Sequence, residues 1–194
     1  MSVVDIYTTK RRYATILADP PWPYRGQARR THSATKRLEY PTMNMDEIRR
    51  LPVKRLFADD ALLFLWTTNP FLEEAMSVIA SWGFTYKTAA TWTKPRPTTG
   101  TWFLGQTEPL LLAVHGHPLS PDARRIRRRP GIILTTDRLN HSVKPRESYT
   151  IIEEIGVAPR IELFARRPRK GWDCWGLEAK DFDRKLERDI RRYL

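Results

Sequence analysis

Asp19, Pro20, Pro21 and Trp22 follow directly on the apolar run Tyr13-Ala14-Thr15-Ile16-Leu17-Ala18. The run is short, rich in β-forming residues and stopped by two prolines, so it reads as a buried strand whose carboxyl end opens into a loop. Asp19 brings a carboxylate to that loop, and Pro20 brings a backbone carbonyl held by a proline pair whose φ is fixed near about −65°. Two acceptors aimed at the two N–H bonds of one amine would favour its tetrahedral form. That is the assistance needed by an exocyclic ring amine, a poor nucleophile because its lone pair is delocalised into the ring. Trp22 adds a flat face on which a base extruded from its stack can lie. The same four residues also make a plain strand-ending turn, and residue types alone leave both readings open.

The elements that would position these groups alternate along the chain. Met45 to Leu56 reads as a helix interrupted by Pro52, and Ala61-Leu62-Leu63-Phe64-Leu65-Trp66 as a second buried strand. Asn69-Pro70 opens a helix whose apolar face is Phe71, Leu72, Ala75, Met76, Ile79 and Trp82, ended by Gly83. Tyr86 to Trp92, Leu110 to Val114 and Arg160 to Ala165 read as strands, Ile132-Ile133-Leu134 as a short one, and Pro145 to Ile155 as a helix. Gln27 to Arg37 and Lys94 to Thr101 lack periodicity and read as loops. Alternating strands and helices imply an α/β fold with a parallel sheet and ligands at the strand carboxyl ends. The tail Ala179 to Leu194, with Phe182, Leu186 and Ile190 four apart, reads as a charged capping helix after a catalytic domain of residues 1–178.

A 194-residue chain that is 41% hydrophobic can bury one substantial core, and a second full domain is not expected. Lys and Arg outnumber Asp and Glu by 34 to 22, and the formal charge of +12 favours a polyanion, with nucleic acid the first candidate. The run Arg124-Arg125-Ile126-Arg127-Arg128-Arg129 is either a set of phosphate contacts or a solvated surface. Cys174 is the sole cysteine, which excludes a disulfide framework and a thiolate zinc cluster and suits a reducing compartment. His115 and His117 have no ligand cluster beside them in sequence and read as loop residues, so no metal is expected. No apolar run reaches membrane-spanning length and the N-terminus lacks a signal layout, so a cytoplasmic location is expected.

Ile16-Leu17-Ala18-Asp19-Pro20-Pro21-Trp22 closely resembles the signature of the MT-A70 family, which includes the catalytic subunit of the eukaryotic mRNA N6-adenosine methyltransferase and many small bacterial and phage adenine methyltransferases. Further blocks resemble the family in family order: Tyr40-Pro41-Thr42-Met43, Leu63 to Thr68, Trp82-Gly83-Phe84, Trp92-Thr93-Lys94, His141 to Pro145, Ile161 to Arg166 and Gly171 to Gly176. The resemblance implies a Rossmann-like methyltransferase fold, a mostly parallel sheet flanked by helices, with the catalytic motif before the main cofactor-binding strand. It implies S-adenosyl-L-methionine as cofactor, although no GxGxxG is present. Glu162, Phe164 and Arg166 then approach the ribose and methionine parts of the cofactor, beside Asp19, and Asp5-Ile6 resembles the pair that holds its adenine. Leu163 and Phe164 are alternatively plain core. Tyr40 and Trp66 correspond to aromatic positions around the target base, where Trp66 is equally a core residue, and Lys144 to a family Lys-Pro pair that stands near the site or starts a helix. Arg29 and Arg30, in the basic loop, are candidate substrate contacts. Gln106-Thr107-Glu108 and Leu177-Glu178 depart from the family pattern, which usually has His-Glu and Asn there. The implied reaction is adenine N6 methylation, of DNA first and of RNA as the alternative. A catalytically silent nucleic-acid-binding subunit is the reading from another class, and a homodimer or a partner subunit stays open.

Overall fold

A computed structural model of the chain describes residues 2–23, 42–97, 102–119, 133–135 and 144–179. The apolar run before the Asp-Pro-Pro segment forms β1, Tyr13–Ala18, and the next forms β2, Phe57–Trp66. β3 is Thr85–Thr93, β4 Thr107–His115, β5 Ile133–Thr135, β6 Arg160–Leu163 and β7 Asp173–Trp175. The helices are α1, Met45–Arg49, α2, Leu72–Ser81, and α3, Arg146–Ile155. One seven-stranded sheet runs in the order β5-β3-β4-β2-β1-β6-β7. The β1–β2, β1–β6, β6–β7 and β3–β5 pairs are parallel, and β4 alone runs against both of its neighbours, so the sheet is mostly parallel with one reversed strand.

The helices cover both faces. Ile16, Ala18, Leu63 and Leu65 point to one side and pack with Ile48 of α1 and Ala75, Val78 and Ile79 of α2. Leu17, Leu62, Phe64 and Trp66 point to the other and pack with Ile152 of α3. Burial on both faces explains why β1 and β2 read as continuous apolar runs rather than alternating ones. β1 has β2 on one side and β6 on the other, reached by connections over opposite faces, so its carboxyl end lies at the point where strand order reverses.

Local signals explain the boundaries. Asn44 caps α1 by accepting the Glu47 N–H at 2.9 Å, while the Glu47 carboxylate accepts the Asn44 N–H at 2.7 Å. The break expected around Pro52 is present: α1 ends at Arg49, and a 3-10 turn at Val53–Arg55 follows Pro52. Gly83, at φ +83°, ends the α2 segment as expected. The strand expected to reach Ala165 stops at Leu163, since Phe164 adopts φ +63° and turns the chain out of the sheet. β7 was not legible as a strand, and Val3 adds a further bridge to it at Cys174. The loop Gln27 to Arg37, the run Arg124 to Arg129 and the tail beyond Ala179 lie outside the described residues. Among the described residues no helix is long and apolar enough to cross a membrane.

Candidate active site

Asp19 leaves the end of β1 with its side chain 32% exposed, and Lys144 Nζ stands 3.0 Å from its Oδ2. The same ammonium lies 3.1 Å from Glu108 Oε2 and 5.4 Å from the centre of the Trp66 ring. Lys94, which lies 5.2 Å from the centre of the Trp92 ring, pairs with the other Glu108 oxygen. Charges therefore alternate along a line of four side chains: Asp19, Lys144, Glu108, Lys94. Topology brings them together, because the carboxyl ends of β1, β2 and β3 share one edge of the sheet and the reversed β4 begins at that edge with Glu108. Lys144 immediately precedes Pro145, the N-cap of α3, so it stands both beside the site and at a helix start.

Burial alone would push the Lys144 ammonium down, but the two carboxylates outweigh it and hold the group above the usual lysine range. Burial pushes the Glu108 carboxyl up, and Lys144 and Lys94 reverse this and leave it below its ordinary value. Glu162 lies one strand over, on β6. Burial pushes its carboxyl up to about 7, although it accepts a 2.8 Å hydrogen bond from the Tyr149 hydroxyl, and the nearby charge of Asp19 acts in the same upward direction. The Arg169 guanidinium sits 3.5 Å from the centre of the Tyr149 ring.

The tetrapeptide is built differently from the simplest expectation. The Pro20 carbonyl accepts the Trp22 N–H at 2.9 Å, closing a tight turn that fixes its direction and leaves its second lone pair. Trp22 is not an open platform: it is 4% exposed, its Nε1–H donates to the Trp66 carbonyl at 3.2 Å, and its ring stacks on Phe71 at 5.8 Å. It ties the turn to the end of β2. Pro21 receives the Met43 N–H at 3.0 Å, which anchors the chain entering α1 against the same turn. Trp66, 1% exposed, is a core residue that supports Lys144 and presents no free face to a base, because both sheet faces are covered by helices.

The cofactor candidates divide. Glu162 lies on the strand beside β1, near enough for the Asp19 charge to act on it, and Phe164 follows at the end of β6 with its ring 5.3 Å from Trp175, which in turn lies 6.4 Å from Tyr7. Arg166 reaches Glu178 at 3.8 Å. The Asp5 carboxylate accepts the Tyr7 N–H at 3.0 Å and the Thr8 hydroxyl at 3.2 Å, shaping the turn that brings Tyr7 to Trp175. Ile6, the other half of the pair expected to hold the cofactor adenine, is fully buried in the core. Tyr40, Arg29 and Arg30 lie outside the described residues. His115 places Nδ1 2.9 Å from the Gly83 carbonyl and packs on Phe57, a structural position.

Glu108, Lys94 and Tyr149 were missed as site residues. Lys94 and Glu108 fall in segments compared with the family above, Lys94 in a matching block and Glu108 in a departing one, but a charged or hydroxyl side chain at the margin of an apolar element does not say which distant charge it will meet.

Comparison with known proteins bears on the whole sheet. Residues 13–178 match the family described as MT-A70. The chain is 36% identical over 193 residues to Type II methyltransferase M.MunI of Mycoplasma sp, an alignment covering 89% of this chain and 80% of that protein. It is 26% identical to N(6)-adenine-specific methyltransferase METTL4 of Mus musculus, covering 89% of this chain and 38% of that one. It is 28% identical to N6-methyladenosine RNA methyltransferase MTA1 of Cryphonectria parasitica, covering 86% and 52%. The chain thus spans most of the first relative and about half or less of the other two.

Proposed function

This chain belongs to the MT-A70 family and is a methyltransferase, and on that premise we propose that it moves the methyl group of S-adenosylmethionine to the N6 amine of adenine in DNA. The observation that carries the reading is the Asp19 carboxylate, the most exposed member of a line of paired charges at the point where strand order reverses. DNA is favoured because a relative of which this chain covers 80% is named a Type II methyltransferase. RNA is the second reading, supported by the fungal relative named an RNA methyltransferase. Residues 1–178 form the catalytic domain in this proposal.

The residues at the site suit such a donor. Asp19 and Glu162 can accept hydrogen bonds from ammonium and ribose hydroxyl groups. Phe164 and Trp175 supply apolar surface beside them. When bound, the cofactor supplies an electrophilic methyl group on a sulfonium centre.

The chain's own groups act on the amine. Lys144 holds Asp19 Oδ2, so Oδ1 is the oxygen that accepts one N–H of the target amine. The Pro20 carbonyl, its direction set by the turn to Trp22, accepts the other. Two acceptors draw the amine toward tetrahedral geometry and turn its lone pair toward the methyl group. As the new N–C bond forms, with the methyl–sulfur bond breaking and its electron pair left on a neutral thioether, the nitrogen becomes cationic, and Asp19 stabilises that charge until the surplus proton leaves to solvent. Trp22 and Trp66 act by position, holding the turn and the lysine.

The test measures label transfer from methyl-labelled S-adenosylmethionine to single-stranded and duplex DNA and RNA, for the native chain and Asp19→Ala. Transfer to adenine in DNA is expected, with a loss of about 10²–10³-fold or more in the variant, the scale seen when a preorganised polar group is removed. Undiminished transfer by Asp19→Ala would overturn the role given to the carboxylate.

A further inference from the structure

Trp102 is 92% exposed, Phe103 90% and Leu104 64%. These three consecutive apolar side chains stand in the connection between β3 and β4, the strands that bring Lys94 and Glu108 to the site. The base of that connection is closed: Lys94 N–H donates to the Gln106 carbonyl at 2.8 Å, and the Gln106 side-chain amide donates back to the Lys94 carbonyl at 3.1 Å. Trp102 and Phe103 therefore project from a tip rooted in the site's own ion pairs, a few residues from Glu108. Large rings held almost wholly in water mark an interaction surface. The charge of the chain says which kind, since a second copy would bring +12 against +12, whereas a nucleic acid brings phosphates to the cations and bases to the rings.

We propose that Trp102 and Phe103 are a base-stacking tip, which packs against unpaired bases flanking the target adenine and so holds the strand while that adenine enters the site. This rests on the reading of the chain as a nucleic-acid methyltransferase. An adenine presented to Asp19 must leave its stack, and its neighbours are then left with exposed π-faces. Aromatic side chains take up such faces without regard to sequence, so the tip adds affinity and positioning, and the basic surface supplies the salt-dependent attraction. The exposed Arg96 on the same tip can serve the backbone.

The fold provides its own probe. Trp22, Trp66, Trp82, Trp92 and Trp172 are 6% exposed or less, and Trp175 is part-buried, so Trp102 is the tryptophan most open to a soluble quencher. Titration with a mixed-sequence single-stranded oligodeoxynucleotide is expected to quench tryptophan emission and to shield it from iodide. Trp102→Phe should remove that signal while keeping most of the binding. The double variant Trp102→Ala with Phe103→Ala, at surface positions that leave folding intact, should bind the oligonucleotide about tenfold or more weakly with an unchanged salt slope, since no charge is removed. Emission indifferent to DNA, or a double variant that binds as well as the native chain, overturns the proposal. So does a sedimentation shift from dimer to monomer in that variant with DNA affinity unchanged, which would assign the tip to a second copy. Absence of methyl transfer by the native chain to any nucleic acid is the separate failure of the proposed function, whereas intact transfer with a silent Trp102 sinks the tip alone.

Discussion

Replacing Lys144 by Met keeps an unbranched stem against Trp66 and removes the charge that lies between two carboxylates. Opposite unit charges about 3 Å apart attract by roughly 5 kcal/mol at an effective dielectric of 20, but that gross figure is offset by the cost of taking the ions out of water. Removing one partner of a buried pair costs about 3–5 kcal/mol net. Glu108, 13% exposed, meets that condition, while Asp19, 32% exposed, recovers part of its loss from water. The expected destabilisation is about 2–4 kcal/mol near neutral pH. Its pH dependence has a definite sign. A carboxyl held below its ordinary value of 4.5 adds stability that is present above that value and is lost as pH falls through the lower native one. Without Lys144, burial raises the Glu108 carboxyl and that contribution shrinks, so the deficit is largest near pH 7 and narrows below about 4.5. Urea unfolding of the native chain, Lys144→Met and Lys144→Arg from pH 4 to 8 measures this, with the arginine variant recovering part of the difference. A methionine variant as stable as the native chain, or a deficit equal at pH 4 and pH 7, would refute the reasoning.

Glu162→Gln should flatten the pH dependence of stability: the native carboxyl, raised from 4.5 to about 7, contributes fully below 4.5 and loses that contribution as pH rises through 7. The loss amounts to about 3 kcal/mol at most, and parallel unfolding midpoints for the two proteins from pH 4.5 to 8 would rule the shift out. Gly176→Ala places a Cβ 2.2 Å from the Ala165 carbonyl oxygen, where Ala165 N–H also bonds the Trp175 carbonyl, so β7 must move away from the Phe164 segment. A cost of about 1–3 kcal/mol in urea unfolding is expected from such overpacking, together with weaker binding of S-adenosylmethionine by calorimetry, and unchanged values would contradict the close approach.

The legible parts of the molecule are those whose cause is local. β1 and β2 could be read because a strand buried on both faces is a continuous apolar run, and Asp19 because the prolines after it end that run. β7 could not, since Asp-Cys-Trp is too short to show a period and is a strand only through its pairing with β6. Trp22 and Trp66 show the limit for aromatic residues: a tryptophan next to the chemistry reads equally as a platform or as core. The hydrogen bond from Trp22 Nε1 to the Trp66 carbonyl, a contact across 44 residues, decides it. Glu108 and Lys144 are 36 positions apart, and nothing near either announces the other. The reversed strand β4 is what brings that carboxylate to the edge where the parallel strands end.

The charge at the site differs in kind from the charge of the chain. The chain carries +12, yet Lys144 and Lys94 are matched by Asp19 and Glu108, and Glu162 adds a carboxyl that titrates near 7. A polyanion is attracted to the surface, whereas among the described residues the two lysines beside Asp19 are already matched by carboxylates. The same balance bears on turnover. In the proposed reaction the sulfonium donor is cationic and its thioether product is not, so carboxylates beside the donor would favour the donor form over the spent one. Lys144 sets that balance, because it neutralises Asp19 enough to hold it at the end of β1 and is itself shared with Glu108. A lysine committed to Asp19 alone would cancel the carboxylate that the amine needs. Shared between two carboxylates, it orients Asp19 and leaves part of its negative charge facing the cleft.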